Sequence, residues 1–145
     1  MSSEITRRNF IKATGTAAGL AAAVGVNPRT YAQNDKIRLG IIGTGGQAQV
    51  HIKEGLRVNK DKIQIVATCD VWNYHLDMGI DVIKKHVGDF KVNTYSEYKD
   101  MLDKENLDAV LIATPLISHF EIVMDCLDAG LYVFCEKTLT MTIDQ

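Results

Sequence analysis

The chain has 145 residues, 46% hydrophobic and 23% charged, which is too apolar for a disordered segment and long enough for one domain and a short leader. Sixteen Lys and Arg stand against eighteen Asp and Glu, a net charge of -2, so no basic excess draws the chain to nucleic acid or an anionic membrane. Three cysteines with no Cys-x-x-Cys exclude a disulfide scaffold and a zinc ribbon, and the longest apolar stretch falls short of the roughly 20 residues of a spanning helix.

The first thirty-odd residues do not read as fold. Arg7-Arg8-Asn9-Phe10-Ile11-Lys12 is followed by a mildly apolar run of Ala, Gly, Thr, Leu and Val over 13–26, then by Thr30-Tyr31-Ala32, small residues in an A-x-A-like cleavage site. This order resembles a twin-arginine export signal, which carries folded proteins across the bacterial inner membrane; the alternative is an amphipathic arm with a chance Arg-Arg. Cleavage after Ala32 leaves a domain at 33–145 with 12 basic and 17 acidic side chains, a net of -5. The resemblance implies a periplasmic protein. It would have no lipid anchor, because no cysteine follows the cleavage site, and no membrane contact after cleavage. Folding in the reducing cytoplasm before export implies unpaired, mostly buried thiols at Cys69, Cys126 and Cys135.

Residues 37–42 form an apolar run of strand length, broken by Gly43-Thr44-Gly45-Gly46, and 47–58 reads as a helix. A second β-rich run, 63–69, ends at Asp70. Helical spacing of Leu76, Ile80, Ile83 and Val87 predicts a helix over 72–87, followed by a weak strand at 91–94 and a short helix at 96–102. Residues 109–113 are apolar throughout, hence a strand buried on both faces. A helix over 118–129 has Ser118 and Glu121 spaced as a capping box and Gly130 past its end, and 132–135 is a fifth strand. Alternating strands and helices call for an α/β fold, a doubly wound parallel sheet in the order 3-2-1-4-5.

Gly43-Thr44-Gly45-Gly46-Gln47-Ala48 fits G-x-G-x-x-G/A between a strand and a helix, the context that gives the motif its meaning. Gly43 allows the tight turn, Gly45 keeps side chains away from a pyrophosphate, and Ala48 lets helix and strand approach. Asp70 lies 22 residues beyond Ala48, close to the spacing at which an acid accepts hydrogen bonds from an adenosine ribose. Its other reading is the N-cap of the next helix. A carboxylate there repels a 2′-phosphate and Val71 and Trp72 offer no arginine, so the expected cofactor is NAD rather than NADP. A methyltransferase using S-adenosylmethionine would place an acid beside the first glycine turn, where Ile41, Ile42 and Thr44 supply none.

Ligands of open α/β sheets sit beyond the carboxyl ends of the strands. Strand 4 ends in Thr114-Pro115 with His119 beyond, and strand 5 in Glu136-Lys137. With the glycine turn, Ala113-Thr114-Pro115, His119 and Phe134-Cys135-Glu136-Lys137, residues 36–145 resemble the Gfo/Idh/MocA oxidoreductases. The usual Glu-Lys-Pro is Glu136-Lys137-Thr138. The resemblance implies that Lys137 lies between nicotinamide ribose and substrate and orients a hydroxyl, its amine partly desolvated and able to share proton transfer; its other reading is a surface lysine paired with Glu136. Glu136 is expected to position the turn or the cofactor. His119 either packs or touches the cofactor, while His51, His75 and His86 have no metal spacing and read as surface or satisfied histidines.

Residues 140–145 look like the opening of another helix, and the resemblance implies a substrate domain in addition to residues 36–145. The expectation is a Rossmann domain incomplete at its C-terminus, inactive alone. The longer parent would be a homo-oligomer transferring hydride between a sugar, cyclitol or polyol hydroxyl and a tightly held NAD. The alternatives are a glycosidase of the same superfamily that uses NAD for transient oxidation and elimination, and a non-catalytic dinucleotide-binding module.

Overall fold

The computed structural model describes residues 36–145, so the leader and its cleavage site lie outside the described residues. Five parallel strands form one sheet in the order β3-β2-β1-β4-β5: β1 Ile37–Ile42, β2 Ile63–Cys69, β3 Asn93–Tyr95, β4 Ala109–Ile112 and β5 Tyr132–Cys135. Four α-helices connect them: α1 Gly46–His51, α2 Asn73–His86, α3 Tyr98–Lys104 and α4 His119–Asp128.

Strand alternation divides the core into two layers. Leu39 and Ile41 of β1 and Leu111 of β4 meet Ala48 of α1, Ile52 in the turn that follows it and Ile83 of α2. The opposite faces, Ile42, Val110 and Ile112, meet Met101 of α3 and Ile122, Val123 and Cys126 of α4. The register of β1 against β2 slips between Leu39 and Gly40, which pair with Ile65 and Ala67. That irregularity turns both Val66 and Ala67 toward the second layer. Ile41, Ile52, Ile65 and Ile83 are fully buried, and each stabilises the fold by about 1.5–3 kcal/mol relative to exposure.

Local expectations fail where a side chain has a nearer partner than the helix pattern assumed. The helix expected over 47–58 is α-helical only to His51 and continues as a π-turn, Ile52–Leu56, and a 3-10 turn, Arg57–Asn59. There the Lys53 and Gly55 carbonyls accept hydrogen bonds from the Arg57 and Asn59 side chains. The expected capping box is not formed: Ser118 Oγ lies 2.9 Å from both Thr114 Oγ1 and the Pro115 carbonyl, and a 3-10 turn, Leu116–Ser118, precedes α4. β3 and α3 begin two residues later than expected, because β3 runs on to Tyr95, whose carbonyl receives the Asp70 N–H. Residues 140–145 form bends and a turn rather than a helix, closed by the Met141 N–H on Gln145 Oε1.

All three cysteines are unpaired. Burial pushes the Cys69 and Cys126 thiols up to about 12, and raises half-buried Cys135 less. Native protein at pH 8 should therefore expose at most one reactive thiol, Cys135, to an aromatic disulfide reagent, and denatured protein three. Fast reaction of two or more native thiols would contradict this packing.

Candidate functional site

The glycine turn leaves the carboxyl end of β1 at the switch between β1 and its neighbours β2 and β4. Gly43 has φ +84°, and a Cβ there would stand 2.7 Å from the Ala113 carbonyl at the end of β4, so only glycine fits. Its N–H bonds the Cys69 carbonyl of β2 at 2.8 Å. Thr44 is fully buried. Its N–H donates to Asp70 Oδ2 at 2.8 Å and its hydroxyl to the same oxygen at 3.2 Å, while Asp70 Oδ1 accepts the Trp72 N–H at 3.0 Å. Asp70 is thus not the N-cap of α2, which begins at Asn73 with Trp72 as its cap residue. Its carboxylate, 9% exposed, holds the glycine turn to the end of β2.

The Thr44 side chain explains a glycine inside α2. A Cβ on Gly79 would meet Thr44 Cβ at 2.9 Å and Cγ2 at 3.2 Å. Ala48 is fully buried between α1 and the sheet, and no atom lies within 4 Å of a Cβ built on exposed Gly46.

A cleft of about 660 Å³ opens along this turn, walled by Asp70, Trp72 and His75 on one side and by Thr114, Pro115 and Ser118 on the other. Cys69 lies in its floor, and with its thiol raised to about 12 it is no nucleophile at neutral pH.

A second, smaller cleft of about 160 Å³ gathers Gln47, Ala113, Thr114, His119, Glu136 and Lys137. Glu136 Oε1 accepts from His51 Nε2 at 2.5 Å and from Gln47 Nε2 at 3.2 Å, and its Oε2 from the Lys137 N–H at 3.2 Å. The His51 bond, helped by Gln47, holds the Glu136 carboxyl below the usual carboxylate range. Glu136 therefore does not pair with the Lys137 amine, which has no ion-pair partner among the described residues. Lys137 is exposed rather than desolvated, and the Lys137–Thr138 peptide bond is cis.

His119 is fully buried. Its Nε2 lies 2.8 Å from the Thr114 carbonyl and its Nδ1 2.9 Å from the Thr138 carbonyl, tying the ends of β4 and β5 together. A neutral imidazole donates to one carbonyl at a time, an imidazolium to both. With both nitrogens on backbone, His119 positions its neighbours and presents no free atom to the cleft.

His51 is a site residue that no sequence motif singles out. Its signal was the i, i+4 relation to Gln47, which puts both on the face of α1 that reaches Glu136. No group of three or more His, Cys, Asp or Glu that could hold a metal ion occurs among the described residues.

A model of the oxidoreductase family with an NAD-binding Rossmann fold, GFO/IDH/MocA, matches residues 37–145. A glycosyl hydrolase family 109 protein of Stenotrophomonas maltophilia is 32% identical over 94% of this chain and 30% of its own length. An alpha-N-acetylgalactosaminidase of Tannerella forsythia is 35% identical over 98% of this chain and 35% of its own length. The crystal structure of scyllo-inositol dehydrogenase from Lactobacillus casei, with NAD(H) and scyllo-inositol, superposes with a TM-score of 0.64 at 26% identity, covering 76% of this chain and 30% of that one. The chain spans about a third of the length of the curated relatives it matches.

Gly→Ala within a helix ordinarily stabilises by about 1 kcal/mol, but Gly79→Ala should instead lower the thermal midpoint, because its methyl displaces Thr44; a raised midpoint would contradict the contact. The Glu136 carboxyl titrates lower in the folded state, so its contribution is present above the ordinary value of 4.5 and lost as pH falls through the folded value. Glu136→Gln should lower the midpoint at about pH 6, with the difference from wild type shrinking toward about pH 3.5. An equal difference at both pH values would contradict the assignment.

Proposed function

The chain belongs to the Gfo/Idh/MocA oxidoreductase family, whose NAD-binding Rossmann fold it carries, and from that premise we propose that it is the NAD-binding part of an enzyme that moves hydride between a sugar-like or cyclitol hydroxyl and nicotinamide. The carrying observation is the glycine turn at the sheet's switch point, with its Cβ-intolerant Gly43, open Gly46 and inward bonds to Asp70. These residues fit a dinucleotide. The cleft of about 660 Å³ falls within the range of small-molecule sites. The first turn of α1 carries N–H groups with no acceptor inside the helix, suited to a pyrophosphate.

In this reading Gly45, Gly46 and Gln47 hold the pyrophosphate. Asp70 and Trp72 wall the adenosine end, and Thr114 and Pro115 the opposite side. When bound, nicotinamide supplies the hydride acceptor or donor. Glu136, fixed by His51 and Gln47, holds the backbone from which Lys137 projects. The unpaired Lys137 amine orients a substrate hydroxyl and offsets charge developing on its oxygen. His119 keeps the Thr114 and Thr138 ends in register. A substrate domain contributed by further chain, and a homo-oligomer, complete the proposal.

A second reading has its own support: the family 109 and alpha-N-acetylgalactosaminidase relatives favour a glycosidase in which oxidation of the sugar is transient. A longer protein containing this chain separates the two. Net absorbance change at 340 nm with a polyol supports the dehydrogenase, and aryl glycoside cleavage without net NAD reduction supports the glycosidase. Absence of dinucleotide binding by calorimetry would overturn both. NAD is proposed over NADP because an acidic side chain, Asp70, lines the cleft and no Lys or Arg does. Asp70→Asn, which keeps one oxygen for Thr44, should narrow the preference about tenfold, about 1.4 kcal/mol. An unchanged ratio of affinities would remove Asp70 from that role.

Export by the twin-arginine route, with loading of NAD before export, belongs to the same proposal and rests on Arg7-Arg8 and Thr30-Tyr31-Ala32. Replacing both arginines with lysine should retain the protein in the cytoplasmic fraction; unchanged periplasmic recovery would contradict it.

A further inference from the structure

Asp70 spends its two oxygens on the molecule itself: Oδ2 on the Thr44 N–H and hydroxyl, Oδ1 on the Trp72 N–H. What stands beside it in the cleft is His75, whose side chain is 33% exposed against 9% for Asp70. The ring is held on three sides. Its Nδ1 lies 3.4 Å from Asp70 Oδ2, the Trp72 ring lies 4.6 Å away, and a Cβ on Gly45 would stand 3.3 Å from its Cε1. Nε2 has no hydrogen-bond partner among the described residues, and the ring lines the cleft beside Gly45 and Asp70.

The charges around it are few. Asp70, at the end of β2, and Glu97, ahead of α3, are the cleft's carboxylates, and no Lys or Arg lines it. The Tyr98 hydroxyl is spent on Asp125 and the Cys69 thiol is held neutral by burial. His75 is therefore the one lining side chain able to become a cation. A neutral imidazole with its proton on the Nδ1 that faces Asp70 leaves Nε2 an acceptor, suited to a ribose hydroxyl; a protonated one makes Nε2 a charged donor, suited to a phosphate oxygen.

We propose, on the reading that this cleft takes a dinucleotide, that His75 sets the choice between a bare and a 2′-phosphorylated adenosine ribose, admitting the phosphate only when its imidazole is protonated. Cofactor choice then depends on pH. The neutral ring meets a 2′-phosphate beside two carboxylates with nothing to offset the repulsion, whereas the protonated ring supplies the missing positive charge.

Calorimetry of the full chain with NADH and with NADPH at about pH 8 and about pH 6.5 tests this. Over that interval a phosphate monoester with a second pKa of about 6 keeps most of its charge, so a change in NADPH affinity does not come from the ligand. NADPH should bind about tenfold tighter at the lower pH, about 1.4 kcal/mol, and NADH should change by less than about threefold. His75→Gln should abolish the NADPH dependence. His75→Lys, permanently charged, should bind NADPH equally at both pH values, and it keeps the test open if the glutamine variant does not fold. NADH binding with a flat NADPH affinity in the wild type, or the same slope in His75→Gln, overturns the role of His75 and leaves the dinucleotide reading intact. Failure to bind either cofactor at either pH overturns both.

Discussion

One largely enclosed carboxylate holds together the parts on which the cleft depends. Asp70 terminates β2, accepts the Thr44 N–H and hydroxyl from the turn after β1, and accepts the Trp72 N–H where the chain turns into α2. Three segments distant in sequence are fixed relative to one another by these bonds. Charge-assisted bonds of this kind are about twice as strong as neutral ones, and losing the acceptor would leave the buried Thr44 amide unsatisfied, at a cost of about 1–3 kcal/mol. The shape of the turn, the position of His75 and the absence of a Cβ at Gly79 all follow from where that carboxylate holds Thr44.

The other end of the site is built on a second acid and a buried histidine. Glu136 ties the end of β5 to α1 through His51 and Gln47, and His119 ties the ends of β4 and β5 through two carbonyls. Neither presents its functional group freely to the larger cleft. Both fix the backbone from which Lys137, an exposed cation without a partner among the described residues, projects. Rigid supports around one exposed charged side chain suit a site that uses that charge.

Much of this was legible in the sequence because it rests on short-range pattern. Runs such as 109–113 are apolar on both faces, which demands a parallel sheet, and right-handed crossovers leave the observed order β3-β2-β1-β4-β5 as the simplest. The glycine turn was equally plain, since strand, turn and helix are contiguous. What pattern did not carry is how a polar group with several possible partners spends its bonds. Spacing places Asp70 at the end of β2 and cannot say that its oxygens turn inward to Thr44. Ser118 and Glu121 have capping-box spacing, yet the hydroxyl lies nearer to Thr114 and Pro115. His51 and Glu136 are 85 residues apart and meet only because β1 and β5 flank β4. His75 carries no motif at all, and its place beside Asp70 is a product of the fold.

The central claim is that the glycine turn and the end of β2 together receive a dinucleotide. Backbone amide chemical shifts of isotope-labelled chain titrated with NAD+ test it most directly. The largest shifts should fall on Gly45, Gly46 and Gln47 and on residues 70–75, with smaller ones at Thr114 and Lys137. Shifts absent from the glycine turn, or concentrated on the outer edge of β5 around Tyr132 and Phe134, would contradict it.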